Sequence, residues 1–334
     1  MGRSQDDKPE LPPRHGSFMR WLGRATTPRS RREFLQVVGA GAFGAAFASR
    51  RAMLRHAFPL KLPPGLQLWT VQDDLRRDRD ATLRRIAAIG YREVELYELP
   101  PSPSEFRKLC DDVGLKCVSG HFYLDSLSRQ QTIDAAKVLG MQYMIVVFPT
   151  LRSLAGRDIS SRSVDELNPL YEAISLDDYK WNAEQFNQYG ETLQAAGLRL
   201  GYHNHAVDLK QFGTVTGFES LIEATDPNLV VFEMDCGHVI HAGHDPIAYL
   251  RQYPTRIRLL HLKDLKPGFS VSTSLDTEEK DTNAELGSGV IDWKRLFAVA
   301  QRGKVEHWFV EHEGRMDHPP LEAITISYKY LQQL

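Results

Sequence analysis

Short apolar runs alternating with helix-spaced segments constrain this chain more than any other feature. From Gly65 onward the candidate strands are Leu66–Val71, Glu93–Tyr97, Leu115–Ser119, Tyr143–Phe148, Leu198–Tyr202, Leu229–Met234, Ile257–His261 and Glu306–Glu311. Apolar residues between most of them recur at helical spacing, as in Arg79–Ile89, Ser104–Val113, Ile133–Leu139 and Asn182–Ala196. Gly90, Gly114, Gly140 and Gly197 then stand where a helix end wants a left-handed cap. Eight strands alternating with helices predict an α/β fold, a (β/α)8 TIM barrel in a single domain. The runs are near-continuously apolar rather than alternating, which fits a sheet covered on both faces.

The late strands carry the chemistry. Four apolar runs end in Tyr202-His203-Asn204-His205, Asp235-Cys236-Gly237-His238, His261-Leu262-Lys263-Asp264 and Glu311-His312-Glu313-Gly314. His203 and Asp235 are 32 residues apart, and Asp235 and His261 are 26 apart, each about one strand-plus-helix unit. Parallel barrel strands bring their C-terminal ends to one face, where catalytic groups gather. Eight of the twelve histidines lie between His203 and His312. Imidazoles and carboxylates converging from four strands read as a divalent metal site. Two connections break the rhythm, Thr150–Asp178 and Lys266–Ile291, the latter holding the charged run 276–281. Each reads either as a lid or binding loop or as a surface insertion.

The first sixty residues differ from the rest. Ser30-Arg31-Arg32-Glu33-Phe34-Leu35 is a twin-arginine pattern, Val37–Ala48 is an apolar run, and Ala46-Phe47-Ala48 offers a small-residue cleavage site. The expected organisation is a twin-arginine signal peptide over 1–48, a linker over 49–64 and the barrel over 65–334. The export machinery of that pathway is then a partner, and the periplasm the destination. Twelve apolar residues fall short of the ~20 that span a bilayer. Without residues 1–48 the chain has 33 basic and 39 acidic side chains, a charge of −6. That balance lacks the basic footprint of a nucleic-acid binder. Cys110, Cys117 and Cys236 are too few for a disulfide framework; Cys110 and Cys117 either pair in an oxidising compartment or stay buried thiols.

Taken together, the strings Leu-Arg-Leu-Gly-Tyr-His-Asn-His, Met-Asp-Cys-Gly-His, Ala-Gly-His-Asp-Pro, Leu-Leu-His-Leu-Lys-Asp and Val-Glu-His-Glu resemble the xylose isomerase-like sugar phosphate isomerase/epimerase superfamily, its Tyr-His-Asn-His subgroup in particular. Leu286–Trp293 and Gly90–Glu95 also match, so the resemblance covers residues 65–334. It implies one divalent ion held from four late strands, with Asp235, His261 and Glu311 as ligands. Where the family commonly supplies a glutamate this chain has His203, the preferred fourth ligand, with His205 in reserve; alternatively one of these histidines binds substrate. A mixed nitrogen and oxygen set suits zinc, manganese, cobalt or iron.

Such an ion would polarise the carbonyl of a sugar or keto-sugar while a base moves the neighbouring proton. The expectation is an exported metal-dependent sugar isomerase or epimerase, with Glu311, His205 and Lys263 as catalytic candidates. The family's epimerases often use two carboxylates, and one of that pair is histidine here. A lyase or hydrolase acting on keto-sugars or glycosides is therefore the alternative reaction, and a non-catalytic sugar-binding barrel is the alternative class. Lys263 either faces developing oxyanion charge or sits in a salt bridge. Trp69, Glu95, His121 and His238 are the substrate-side candidates, although Trp69 could equally pack the barrel and His238 support a ligand. Barrels of this family often form homodimers, and a sugar is the expected small-molecule partner.

Overall fold

The computed structural model describes residues 58–127, 129–156, 164–274 and 282–334. The twin-arginine motif, the apolar run after it, most of the linker and the charged run 276–281 lie outside the described residues. Eight parallel strands close on themselves in chain order: β1 (Gly65–Gln67), β2 (Glu93–Leu96), β3 (Lys116–Phe122), β4 (Tyr143–Val146), β5 (Arg199–His203), β6 (Val230–Asp235), β7 (Ile257–Leu262) and β8 (His307–Val310). Closure comes where Gly65 and Leu66 pair with Phe309 and Val310. Eight main helices follow the strands: α1 (Arg79–Ile89), α2 (Pro103–Val113), α3 (Gln130–Leu139), α4 (Leu176–Ala195), α5 (Gly217–Ala224), α6 (Pro246–Gln252), α7 (Trp293–Ala300) and α8 (Pro320–Leu331). The fold is thus the expected single TIM barrel. Among the described residues no helix is long and apolar enough to cross a membrane.

Strand alternation divides the apolar side chains into two cores. Val230, Phe232, Leu260, Trp308 and Val310 join the large cluster that includes buried residues of the helices. Their neighbours Val231, Leu259 and Phe309 form a separate small cluster with Val118, Tyr143 and Ile145, which fills the barrel. Two glycines make that filling possible. A Cβ at Gly65 would meet the Phe309 ring, and one at Gly201 would meet the Ile145 side chain.

Several expected boundaries shift for identifiable reasons. The first strand, expected to reach Val71, stops at Gln67, whose side-chain oxygen accepts the Trp69 N–H at 3.0 Å and turns residues 68–71 into a tight helical turn. α4 begins at Leu176 rather than Asn182, because Ser175 and Asp178 form a reciprocal capping box. Neither long connection is plain loop: the first contains the helix Val164–Glu172, and the second brings Asn283–Ala284 back to pair antiparallel with Asp264–Leu265 just before it. The four glycines expected at helix ends all take positive φ, between 79° and 130°.

Candidate metal centre

The C-terminal mouth is built by inward-facing residues one layer above the apolar filling. Two register irregularities shape it. Between Val94 and Glu95 the partner strand skips a residue, and the same occurs between Phe232 and Glu233. Bulges of this kind re-aim side chains, and each here immediately precedes a glutamate that enters the site.

His203, Asp235, His261 and Glu311 each offer one ligand atom, and those atoms lie within 4.8 Å of one another. All four residues are buried. His121, His203, Glu233 and His261 form a second such group, and His203, His205 and His238 a third. The backbone fixes Asp235 tightly. Its N–H donates to the Asn204 side chain at 3.0 Å, and its Oδ1 caps the helix Cys236–His241 by accepting the His238 N–H at 2.7 Å. Oδ2 makes no hydrogen bond, although the Lys263 ammonium lies 3.1 Å away. Buried atoms Glu95 Oε2, Glu233 Oε1 and His205 Nδ1 also lack hydrogen-bond partners. Buried polar groups are normally satisfied. Their orphaned state, the excess of carboxylates and the mixed donor set fit a divalent cation.

His261 is at the centre. Its Nδ1 lies 2.8 Å from Glu311, and its Nε2 lies 2.6 Å from Glu95 and 3.2 Å from Glu233. Burial alone would lower its pKa, but Glu233, Glu311 and Glu95 outweigh burial and hold it well above the ordinary histidine value. Glu95 and Glu233 are driven apart. Burial favours the neutral form of both; beside Glu95 the His121 and His261 charges prevail and hold it well below the usual range. In Glu233 burial and the neighbouring Glu95 prevail and raise it. Burial and the surrounding imidazoles keep His203 well below its ordinary value, and burial with His238 and Lys263 does the same for His205 against the pull of Glu313 and Glu311, leaving ring lone pairs free to ligate.

Lys263 holds the other wall. Its ammonium meets Glu313 at 2.6 Å, Glu311 at 3.2 Å and His238 at 3.0 Å, with only 2% of the side chain exposed. Burial notwithstanding, Lys263 and His261 lower the Glu311 carboxyl to about 2. A Cβ on Gly237 would lie 2.7–2.9 Å from the Lys263 stem, so the bare backbone there lets the lysine pass.

The structure also places the remaining sequence candidates. Glu95 and His121 stand in the site, 2.9 Å apart. The His205 ring stacks on Phe148, centroids 4.1 Å apart, and the His205 backbone N–H donates to Asp208. Trp69 is 42% exposed and meets Tyr97 edge-on, so it does not pack the barrel interior. His312 turns away to Ser327, whereas Glu313 faces inward to Lys263. Glu233 and Gln67 were missed by sequence reasoning. Glu233 was within reach of it, since it lies two residues before Asp235 on one strand and so shares its face. Gln67, which bonds Glu95 at 2.8 Å, gave no comparable signal.

Residues 83–334 match the xylose isomerase-like TIM barrel family. The chain belongs to that family. Among curated members, an inosose dehydratase of Clostridium tetani is 30% identical over 177 residues, covering 49% of this chain and 58% of that enzyme's length. An inosose dehydratase of Clostridium botulinum is 28% identical over 293 residues, covering 79% of this chain and 94% of that enzyme. A Parabacteroides distasonis sugar phosphate isomerase/epimerase structure superposes with a TM-score of 0.62 at 24% identity, over 80% of this chain and 93% of that one. The structure of an IOLI protein with a bound zinc atom gives 0.54 at 17% identity, over 80% and 96%. At these identities both structures support the xylose isomerase-like barrel fold only.

Proposed function

We propose that this chain is a divalent-metal-dependent enzyme that removes a proton beside the carbonyl of a keto-polyol or keto-sugar and then expels a neighbouring hydroxyl as water. The convergence of His203, Asp235, His261 and Glu311 at the buried barrel mouth carries this reading. These four residues would hold the ion, which when bound supplies Lewis-acid polarisation of the substrate carbonyl. Elimination needs two unlike groups, a base for the carbon-bound proton and an acid for the departing hydroxyl. The site has both: the ionised carboxylates Glu95 and Glu311 on either side of His261, and the Lys263 ammonium on the far wall. His121 and His238 would contact substrate hydroxyls, with Glu95 and Trp69 on the side of β1 and β2. The inosose dehydratase relatives support a dehydration, since an inosose is a cyclic keto-polyol.

Isomerisation or epimerisation remains the second reading, favoured by the placement of Glu95 and Glu311 at opposite ring nitrogens of His261. Both readings share the first proton transfer. Incubating metal-loaded protein with an inosose in deuterated water separates them. Dehydration gives a product lighter by one water; epimerisation gives an isomer carrying deuterium; binding with neither product nor exchange refutes an enzymatic role. We also propose export by the twin-arginine pathway, supported by Arg31-Arg32 and the apolar run after it. Retention in the cytoplasm of a chain carrying residues 1–48 would refute it.

A further inference from the structure

Cys110 and Cys117 meet in the buried layer outside the barrel, away from the groups around His261. Cys110 lies in the last turn of α2 and Cys117 near the start of β3. Between them Gly114 takes φ 79°, and the Leu115 N–H returns to the Cys110 carbonyl at 2.9 Å. This left-handed cap reverses the chain within a few residues and sets the two sulfur atoms 3.8 Å apart. Both thiols are free and buried, at 0% and 3% exposure. Cys236, beside Asp235, is the third free thiol and serves as an internal reference.

We propose that Cys110 and Cys117 are a disulfide-forming site that ties the end of α2 to β3, the strand carrying His121 to the mouth. Closing the bond brings the sulfurs from 3.8 Å to about 2.05 Å, a displacement shared between two short side chains. With oxidised glutathione as oxidant the step balances. The two cysteine thiols lose two protons and two electrons as their S–S bond forms; the glutathione disulfide is cleaved and leaves as two thiols. The pair needs no other cysteine and no substrate, so the inference stands independently of the catalytic reading.

Peptide mapping tests it directly, because cleavage after Lys108, Lys116 and Arg129 puts the two cysteines on separate peptides, 109–116 and 117–129. Full-length protein is treated with oxidised glutathione either folded or during refolding from guanidinium, then alkylated under denaturing conditions. The second arm removes burial as a barrier. The expected result in at least one arm is a fall from three alkylated thiols to one, that of Cys236, with peptides 109–116 and 117–129 linked. Cys110→Ser abolishes that link and leaves two thiols alkylated. Three reactive thiols in both arms, a lasting glutathione adduct, or a link through Cys236 would overturn the proposal.

Discussion

Asp235 has little freedom. Asn204 holds its backbone and the His238 N–H holds Oδ1, so only Oδ2 faces the cluster. A side chain fixed by two independent bonds presents its remaining atom with little entropy left to lose. Asp235→Ala should therefore lower divalent-ion affinity by more than about 100-fold, read by ion titration into the chelated protein. His203→Ala should lower it as well; unchanged affinity would take that histidine out of the ion's shell. His312 belongs to stability rather than chemistry. Burial lowers its pKa to about 4, against the pull of Glu285 and Glu311. The folded state thus binds fewer protons than the unfolded one between pH 6.5 and 4. This contribution is fully present above about 6.5 and is lost as pH falls through that window, on the order of 3 kcal/mol in all. Denaturation of the metal-free protein at pH 7 and 4.5 should show a larger loss in wild type than in His312→Gln.

At the scale of elements, Asp264 explains why the segment Leu286–Trp293 stands out in the sequence. Its carboxylate accepts the N–H groups of Leu265, Gly287 and Ile291 and the Trp293 indole at 2.8–3.3 Å, pinning the connection after β7 to the start of α7. Asp264→Ala would leave the Leu265, Ile291 and Trp293 donors unmatched in a buried place and should cost about 3 kcal/mol or more in chemical denaturation. Gly237→Ala should instead displace Lys263, lowering kcat with little change in ion content; unchanged kcat would remove the lysine from the reaction. Strand order and helix ends were legible because apolar periodicity and cap glycines are local signals. The late-strand residues were legible because each ends its own apolar run. Glu233 gave no such signal, because it lies inside its strand, two residues before the end. The bulges before Glu95 and Glu233 were not readable, since register depends on the partner strand. The turn at Gln67 likewise depends on a side-chain bond that no periodicity encodes.

For the molecule as a whole, the barrel gathers Glu95, Glu233, Asp235, Glu311 and Glu313 around Lys263 and His261. An ion bound to the folded chain alone stabilises it by mass action, about 4 kcal/mol at a thousandfold excess over Kd. Chelation should accordingly lower Tm, and restoring zinc or manganese should recover it; a Tm indifferent to both would contradict a resident ion. Whether the barrel mouth holds a resident ion is read from the ion content and X-ray absorption spectrum of the purified protein. One divalent ion per chain is expected, with imidazole nitrogens and carboxylate oxygens around it, lost in Asp235→Ala. An ion-free active protein, or an ion with no imidazole in its shell, would contradict it.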